Sequence, residues 1–263
     1  MDAARLTYTL LIDRPSRRLL WVLAAVVATM VVAEILAAGP AVAIGVLLHG
    51  ALLLTLLGLH VVTEARESEL YLAIAVLPLI RILSTTMPLV VPSEADWFAL
   101  VNVPLIVGTV VAARSLGYGR RELGLRLGYV PLQFFVTSAG LVIGPVERLI
   151  IQPPAIAANL SAHAIAWPMV SLLLFTGLSE ELLFRGVLLT AAVRTLGPWR
   201  GILLASLLFA LMHIGWHSAL DVAFVFGVGV FFAAVAHRTG SILGTSLAHG
   251  LANILLFIIL PLR

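Results

Sequence analysis

The sequence predicts an all-α, polytopic transmembrane helical bundle, and its composition, its apolar runs and its arginine placement each indicate this fold class. Of its 263 residues, 61% are hydrophobic and only 11% are charged. A soluble domain has about a quarter of its residues charged, and a soluble fold of this length could not bury so much apolar surface. Because lipid can solvate that surface, the composition predicts an integral membrane protein.

The apolar runs predict eight or nine membrane spans. A helix that crosses a bilayer needs about 20 apolar residues, and nine runs approach or exceed that length. The run 97–113 is the shortest, and Pro92 and Pro104 interrupt its edges, so eight spans are the alternative. The nine predicted spans are 19–38, 42–62, 70–91, 97–113, 129–150, 165–192, 199–216, 219–236 and 242–260.

The positions of the arginines predict that the N-terminus is cytoplasmic. All 16 basic residues are arginine, and two of them, Arg81 and Arg185, lie inside predicted spans and away from the span ends. If the N-terminus is inside, only Arg148 and Arg263 fall at outer segments, and the other 12 arginines fall at inner segments. Cytoplasmic loops of membrane proteins carry such an excess of positive charge. Tryptophan favours the membrane interfaces, and it falls near predicted span ends at Trp21, Trp97, Trp167, Trp199 and Trp216.

The longest polar connection, residues 114–128, divides the chain into two predicted regions. The connection is basic and amphipathic, and we expect it to lie on the inner membrane surface. Residues 1–128 form a predicted N-terminal transmembrane region of four spans with few polar residues. Residues 129–263 form a predicted transmembrane core, in which nearly all of the unusual polar residues lie between positions 160 and 260.

The composition also excludes several classes of function. The chain has no cysteine, which excludes disulfides and thiolate chemistry. Its net charge of +3 comes from arginines scattered among the connections, so we expect no nucleic-acid surface. The abundant alanine, leucine and valine, with no lysine, are typical of a bacterial chain. We therefore expect a multi-pass protein of a bacterial cell membrane, in contact with membrane lipid.

Two adjacent acidic residues in an apolar run, Glu180 and Glu181, are the strongest indication of chemistry. A charged side chain at the bilayer centre costs roughly 2.5–3.5 kcal/mol on insertion scales, so such residues need partners or a function. Glu181 and Arg185 are four residues apart and can pair on one helix face. Glu180 points roughly 100° away and stays uncompensated, which is typical of a general base. The alternative is that Arg185 and Arg81 hold both acids in contacts that only pack the helices together.

Two later spans each carry a histidine with a second polar or aromatic residue one helical turn away. Phe209 and His213 share a helix face, and so do His249 and Asn253. A buried imidazole needs polar partners, and Glu180 is a candidate partner for His213. The alternative is that each histidine only packs or bonds helices together. The small residues between His249 and Asn253 permit the close approach of a neighbouring helix.

The combination of these residues predicts hydrolysis of an amide bond. A carboxylate beside a histidine can activate water, and a histidine or asparagine donor can stabilise the oxyanion of a tetrahedral intermediate. Glu180, His213, His249 and Asn253 lie on three helices of one half of the chain, so we expect them to meet at one water-accessible cavity. We interpret as structural the acids near span ends, Glu34 and Asp221.

The three polar segments resemble the three motifs of the CPBP intramembrane protease family. EELLFR at 180–185 matches EExxxR, FALMH at 209–213 matches FxxxH, and HGLAN at 249–253 matches HxxxN/D, in the family's order. This family is also called the Abi or CAAX-protease family, and it includes the Rce1-type prenyl-protein endopeptidases. The resemblance covers residues 160–260 and implies an intramembrane endopeptidase.

The resemblance implies a role for each matched residue. Glu180 would be the base that polarises water, and His213 would assist it. His249 and Asn253 would hold the oxyanion or orient the water. The supporting ion pair would be formed by Glu181 and Arg185.

The resemblance leaves the role of a metal open. Many family members are classed as metalloproteases, while a glutamate-dependent mechanism without metal is also argued. Glu180, His213 and His249 could form a three-ligand zinc site with an open position. We favour the metal-free mechanism, because Asn253 on the same face as His249 suits an oxyanion donor better than a ligand.

The resemblance implies that the substrate is a membrane-associated protein or peptide. Eukaryotic relatives cleave a prenylated CAAX tail, which is not expected in a bacterium. We expect a cavity among the C-terminal helices, reached from the cytoplasmic side or laterally from lipid. One alternative is a non-catalytic scaffold or bacteriocin-immunity factor of the same family. A proton-coupled transporter is disfavoured, because the sequence shows no internal repeat. The sequence predicts no particular oligomeric state.

Overall fold

The computed structural model of the protein describes residues 15–86 and 94–263. Within these two ranges all of the regular secondary structure is helical, which confirms the predicted all-α class. The predicted inner arginines Arg5 and Arg14 lie outside the described residues, and so does Pro92.

Four helices make up the described part of the N-terminal region. They are α1 (Arg17–Ala38), α2 (Val42–Val62), α3 (Ala65–Thr86) and α4 (Glu94–Ser115). Each coincides with one of the first four predicted spans, although the predicted run 70–91 continues beyond the described residues. The start of α1 is fixed by Ser16, whose hydroxyl accepts a hydrogen bond of 3.0 Å from the backbone N–H of Leu19, as is usual for a helix N-cap.

Eight further α-helices follow the connection 114–128, and some of them join end to end. They are α5 (Val130–Ser138), α6 (Gly140–Ile150), α7 (Ala162–Val170), α8 (Ser179–Glu181), α9 (Leu189–Leu196), α10 (Pro198–Leu211), α11 (Ala219–Thr239) and α12 (Leu243–Ile254). The π-helical stretches Ser171–Leu178 and Leu182–Leu188 join α7, α8 and α9 into one continuous helix, 162–196, which we call the motif helix. A third π-helical stretch, Leu255–Ile259, extends α12.

Seven helices of the described residues are long and apolar enough to cross a membrane. An eighth apolar helix, Leu243–Ile259, is shorter, and the predicted span 165–192 falls on the motif helix. Between 22% and 44% of each spanning window is buried within the protein, so the larger part of each helix presents apolar side chains outwards. These surfaces require lipid, and the protein is therefore a multi-pass membrane protein.

The connection 114–128 forms a series of turns rather than an amphipathic helix. Gly117, Gly124 and Gly128 adopt positive φ angles of 68°, 67° and 62°, which glycine tolerates and other residues rarely adopt. The connection is tied to the loop before α12, because the Ile242 N–H donates to the Gly124 carbonyl at 3.0 Å. Its basic side chains thus lie at the end of the bundle where α4 ends and α12 begins.

Glycine residues bring α6 into backbone contact with α12. A Cβ atom on Gly140 would lie 2.4 Å from the Ala248 carbonyl oxygen, and one on Gly144 would lie 2.5 Å from that of Ala252. The two glycines are four residues apart and share one face, as in the small-residue contacts of membrane helices. This contact fixes α6 against the helix that carries His249.

Candidate active site

All four residues predicted to be catalytic line one cavity of about 620 Å³. The cavity lies between α3, α4, α6, the motif helix, α10 and α12. Much of its wall is apolar, including Leu77, Val101 and Leu105 from the N-terminal region. Its catalytic candidates come from three elements, namely Glu180 from the motif helix, His213 from the end of α10, and His249 and Asn253 from α12.

The two adjacent glutamates occupy different environments. The side chain of Glu180 is 23% exposed and borders the cavity, whereas that of Glu181 is 0% exposed. Glu181 Oε1 lies 2.7 Å from Nη1 of Arg185, four residues further along. This arrangement agrees with the pairing that the sequence predicted, and it leaves Glu180 as the glutamate that can meet a substrate.

His249 lies between the two glutamates. Its Nδ1 is 3.2 Å from Glu181 Oε1, while its Nε2 is 3.9 Å from Glu180 Oε2. A carboxylate accepts hydrogen bonds, so the Glu181 contact places a proton on Nδ1. In the neutral ring, Nε2 then carries a lone pair on the side of Glu180. The distance of 3.9 Å is too long for a direct hydrogen bond.

His213 does not take Glu180 as its partner, which corrects the pairing expected from the sequence. Its Nδ1 is 3.0 Å from the Phe209 carbonyl oxygen, and a carbonyl only accepts, so Nδ1 carries the proton. Phe209 has this carbonyl free because α10 ends at Leu211 and the His213 N–H bonds to Ala210 instead. The last carbonyls of a helix have no N–H partner within the helix and need donors of this kind. His213 therefore keeps Nε2 for the cavity that it lines.

The Phe209 ring packs against His213, His249 and Arg185. Its centroid lies 4.9 Å from that of His213 and 5.8 Å from that of His249, both in edge-to-face geometry. The Arg185 guanidinium lies 4.2 Å from the same centroid, within the range of a cation–π contact. The predicted contact between Phe209 and His213 is confirmed, and this ring also helps to hold Arg185.

Arg81 does not hold Glu180, so the alternative in which Arg81 and Arg185 share the two adjacent glutamates is wrong. Arg81 instead forms a bidentate contact with Glu34 of α1, in which Nε lies 2.9 Å from Oε1 and Nη2 lies 2.8 Å from Oε2. Nη2 also donates to the Met212 carbonyl at 2.8 Å. Glu34, which the sequence placed at a span end, is only 1% exposed.

Two cavity residues were not singled out from the sequence. Asn102 of α4 accepts a hydrogen bond of 2.9 Å from the Ser179 hydroxyl, immediately before Glu180. Glu147 of α6 is 9% exposed and lines the cavity. The sequence could have indicated Glu147. It follows Gly144 by three residues and therefore shares the face of α6 that packs on α12.

The described histidines and acids do not form the zinc site that the sequence left open. Within residues 15–86 and 94–263, no three or more His, Asp or Glu side chains are arranged to hold a metal ion. Glu180, His213 and His249 thus line one cavity without forming a set of ligands. No step below is assigned to a metal.

The exposed part of the cavity wall lies at the end of the bundle opposite the connection 114–128. Pro154, Gly215 and Trp216 are the exposed lining residues, in the segments that follow α6 and α10. If the basic connection is cytoplasmic, this end faces the outside. In that orientation the exposed lining residues provide no opening on the cytoplasmic side, whereas lateral access from lipid is compatible with either orientation.

Comparison with known proteins identifies the region that holds the three motifs. The family model described as Type II CAAX prenyl endopeptidase Rce1-like matches residues 162–255. Comparisons with curated proteins and with solved structures gave no match. The matched range begins with the first residue of the motif helix and ends after Asn253. Residues 162–255 are therefore an Rce1-like domain of the CPBP family, as the three motifs predicted.

Proposed function

We propose that the protein is an intramembrane endopeptidase that hydrolyses a peptide bond of a membrane-associated protein or peptide. The observation that carries this proposal is the position of Glu180. It is a cavity-lining carboxyl 3.9 Å from His249 Nε2, whereas its neighbour Glu181 is withdrawn into an ion pair. The match to a peptidase family supports the same conclusion.

The attacking water binds between Glu180 Oε2 and His249 Nε2. The 3.9 Å separation of these atoms leaves room for a water that donates one hydrogen to each of them. Glu180 removes a proton as the oxygen attacks the carbonyl carbon of the substrate. His249 is suited to orienting this water, because the contact of its Nδ1 with Glu181 leaves the Nε2 lone pair on the side of Glu180.

Asn253 and His213 form hydrogen bonds that assist the reaction of the substrate. Within the described residues no hydrogen bond engages the Asn253 side chain, so its N–H groups are available to the oxyanion of the tetrahedral intermediate. His213 assists by accepting a hydrogen bond at Nε2, since its Nδ1 is held by the Phe209 carbonyl. The intermediate collapses only after the amide nitrogen has gained a proton, because an amide anion is a poor leaving group.

The walls of the cavity favour an apolar peptide segment. Leu77, Val101, Leu105, Trp97 and Phe257 contribute apolar surface around the polar groups. A substrate anchored in the same bilayer would bring such a segment to the cavity by lateral diffusion. We therefore infer that the substrate is a membrane-associated polypeptide with an apolar segment next to the cleaved bond.

Both regions of the chain, residues 1–128 and residues 129–263, contribute to the proposed function. We propose that 1–128 is an N-terminal transmembrane region that supplies part of the substrate-binding wall, and that 129–263 is the catalytic core. Arg81 and Asn102 belong to the first region, and they contact residues adjacent to His213 and Glu180 in the second.

The experiment compares the new peptide termini in membranes of cells that express either the wild type or the Glu180→Ala variant. Equal amounts of folded protein are verified by thermal unfolding in detergent. The proposal expects a set of cleavage products that depends on Glu180 and that carries one ¹⁸O atom in each new carboxyl group when formed in H₂¹⁸O. Identical termini in both membranes would contradict a peptidase and favour a non-catalytic member of the family.

A further inference from the structure

Glu147 is a buried acidic residue that belongs to no motif and lies outside the matched range 162–255. It lies in the last turn of α6, and the contacts of Gly140 and Gly144 direct this face of α6 towards α12. Glu147 consequently lines the cavity together with Glu180, His249 and Asn253. Its position follows from helix packing and not from the residues that define the family.

No group of the described protein neutralises Glu147. Within residues 15–86 and 94–263 its carboxyl group takes part in no hydrogen bond or ion pair, although the residue is only 9% exposed. The adjacent Arg148 donates to the carbonyl of Pro153. The titratable groups that act most strongly on Glu147 are Asp221 of α11, His249 of α12 and Glu180 of the motif helix, of which two are acids. A carboxyl group in such surroundings is less costly to bury with its proton than without it.

Glu147 also borders a second, smaller cavity of about 30 Å³. His213, His249 and Asn253 line this space too, whereas Glu180 does not. A space of this size can hold a water molecule, and the side chains of Glu147, His213, His249 and Asn253 offer it polar partners. Glu147 therefore lies where the large cavity and a water-sized space meet.

We propose that Glu147 is the general acid that protonates the leaving amine, an assignment that rests on the proposed peptidase function. Glu180 takes one proton from water, and the hydroxide oxygen bonds to the carbonyl carbon. Glu147 then gives its proton to the amide nitrogen. The C–N bond breaks with its electron pair passing to nitrogen, and the oxyanion becomes the carbonyl of the carboxylic acid product. The proton on Glu180 returns to Glu147 through water in the two cavities, which restores both groups.

The leaving group of the substrate distinguishes an acid from a residue that only maintains the fold. The test uses a peptide that the wild type cleaves and a 4-nitrophenyl ester of the same acyl segment. Nitrophenolate departs without a proton, so an acid is required for the peptide but not for the ester. In Glu147→Gln we expect kcat for the peptide to fall about 100-fold or more, as for a lost general acid. The kcat for the ester should stay within about threefold of the wild-type value, because nitrophenolate leaves without receiving a proton.

Glu64→Gln provides the control, because Glu64 is an exposed acid that lines neither cavity. It should leave both reactions near the wild-type rate. Glu147→Asp should recover part of the peptide activity, because it retains a carboxyl group. An equal loss on peptide and ester in Glu147→Gln, or no loss on either, would overturn the assignment. Failure of the wild type to cleave any peptide would instead contradict the proposed function.

Discussion

Nη2 of Arg81 lies 2.8 Å from the backbone carbonyl oxygen of Met212, so a residue of α3 holds the chain immediately before His213. The same guanidinium is anchored to the buried Glu34 of α1. The end of α10 is thereby tied to two helices of the N-terminal region. This contact gives that region a specific part in positioning His213, which we propose to be catalytic.

Loss of the Arg81 contact should lower activity even when the protein remains stable. Arg81→Gln leaves Glu34 buried without its cation, which should be destabilising, and it releases Met212. In the double variant Arg81→Gln with Glu34→Gln, stability should largely return because no charge is left unpaired. We expect kcat to stay about 10- to 100-fold below the wild type, because small displacements of catalytic groups reduce rates strongly. A stable double variant with wild-type kcat would show that Arg81 does not position His213.

The buried pair Glu181 and Arg185 should stabilise the fold only as a pair. Their side chains are 0% and 2% exposed and lie 2.7 Å apart. Replacing one partner leaves an uncompensated buried charge and should cost about 3–5 kcal/mol. We expect Arg185→Met to unfold more readily than the double variant Glu181→Gln with Arg185→Met, in denaturant titrations in detergent. Equal stability of the single and double variants would argue against this ion pair.

The close contact between α6 and α12 should be sensitive to a single methyl group. A Cβ atom on Gly144 would meet the Ala252 carbonyl oxygen at 2.5 Å, so Gly144→Ala must push apart the helices that carry Glu147 and Asn253. Overpacking of this kind costs about 1–3 kcal/mol, and peptide cleavage should fall as well. The control is Gly58→Ala on α2, where a Cβ atom would have nothing within 4 Å. Equal thermal unfolding of both variants would contradict the contact.

The orientation of the cavity can be measured with single cysteines, because the natural chain has none. With a cytoplasmic N-terminus, Arg120→Cys should react with a membrane-impermeant maleimide only after the cells are opened. Ser161→Cys, in the segment between α6 and the motif helix, should react in intact cells. The exposed wall of the cavity at Pro154 and Gly215 would then face the outside. The reverse labelling pattern would mean that the cavity faces the cytoplasm and that the arginine bias misassigns the orientation.

The sequence was sufficient to predict the motif residues because polar side chains are conspicuous in apolar helices. Glu180, His213, His249 and Asn253 were identified as unusual residues and as matches to three motifs, and the structure places all four at one cavity. The pairing of Glu181 with Arg185 followed from helical periodicity alone, since both partners lie on one helix.

Contacts between helices were less predictable, because they depend on the order and rotation of the helices. Glu34 and Arg81 are 47 residues apart in sequence, and no local pattern indicates that they pair. His213 bonds to the Phe209 carbonyl and not to Glu180, the partner that the sequence had led us to expect. That carbonyl is free only because α10 ends at Leu211. The π-helical turns on both sides of Glu180 were also not predicted. Such turns are frequent at functional sites, and they change which side chains share a helix face.

The most direct test of the proposed chemistry is the rate of peptide cleavage by Glu180→Gln, compared with the wild type in the same lipid vesicles. Glutamine preserves the shape of the side chain but cannot accept the proton of the attacking water. We expect a folded variant whose kcat is lowered by at least about 100-fold, as for a lost general base. Cleavage by folded Glu180→Gln at the wild-type rate would contradict the central claim that this carboxylate activates the water.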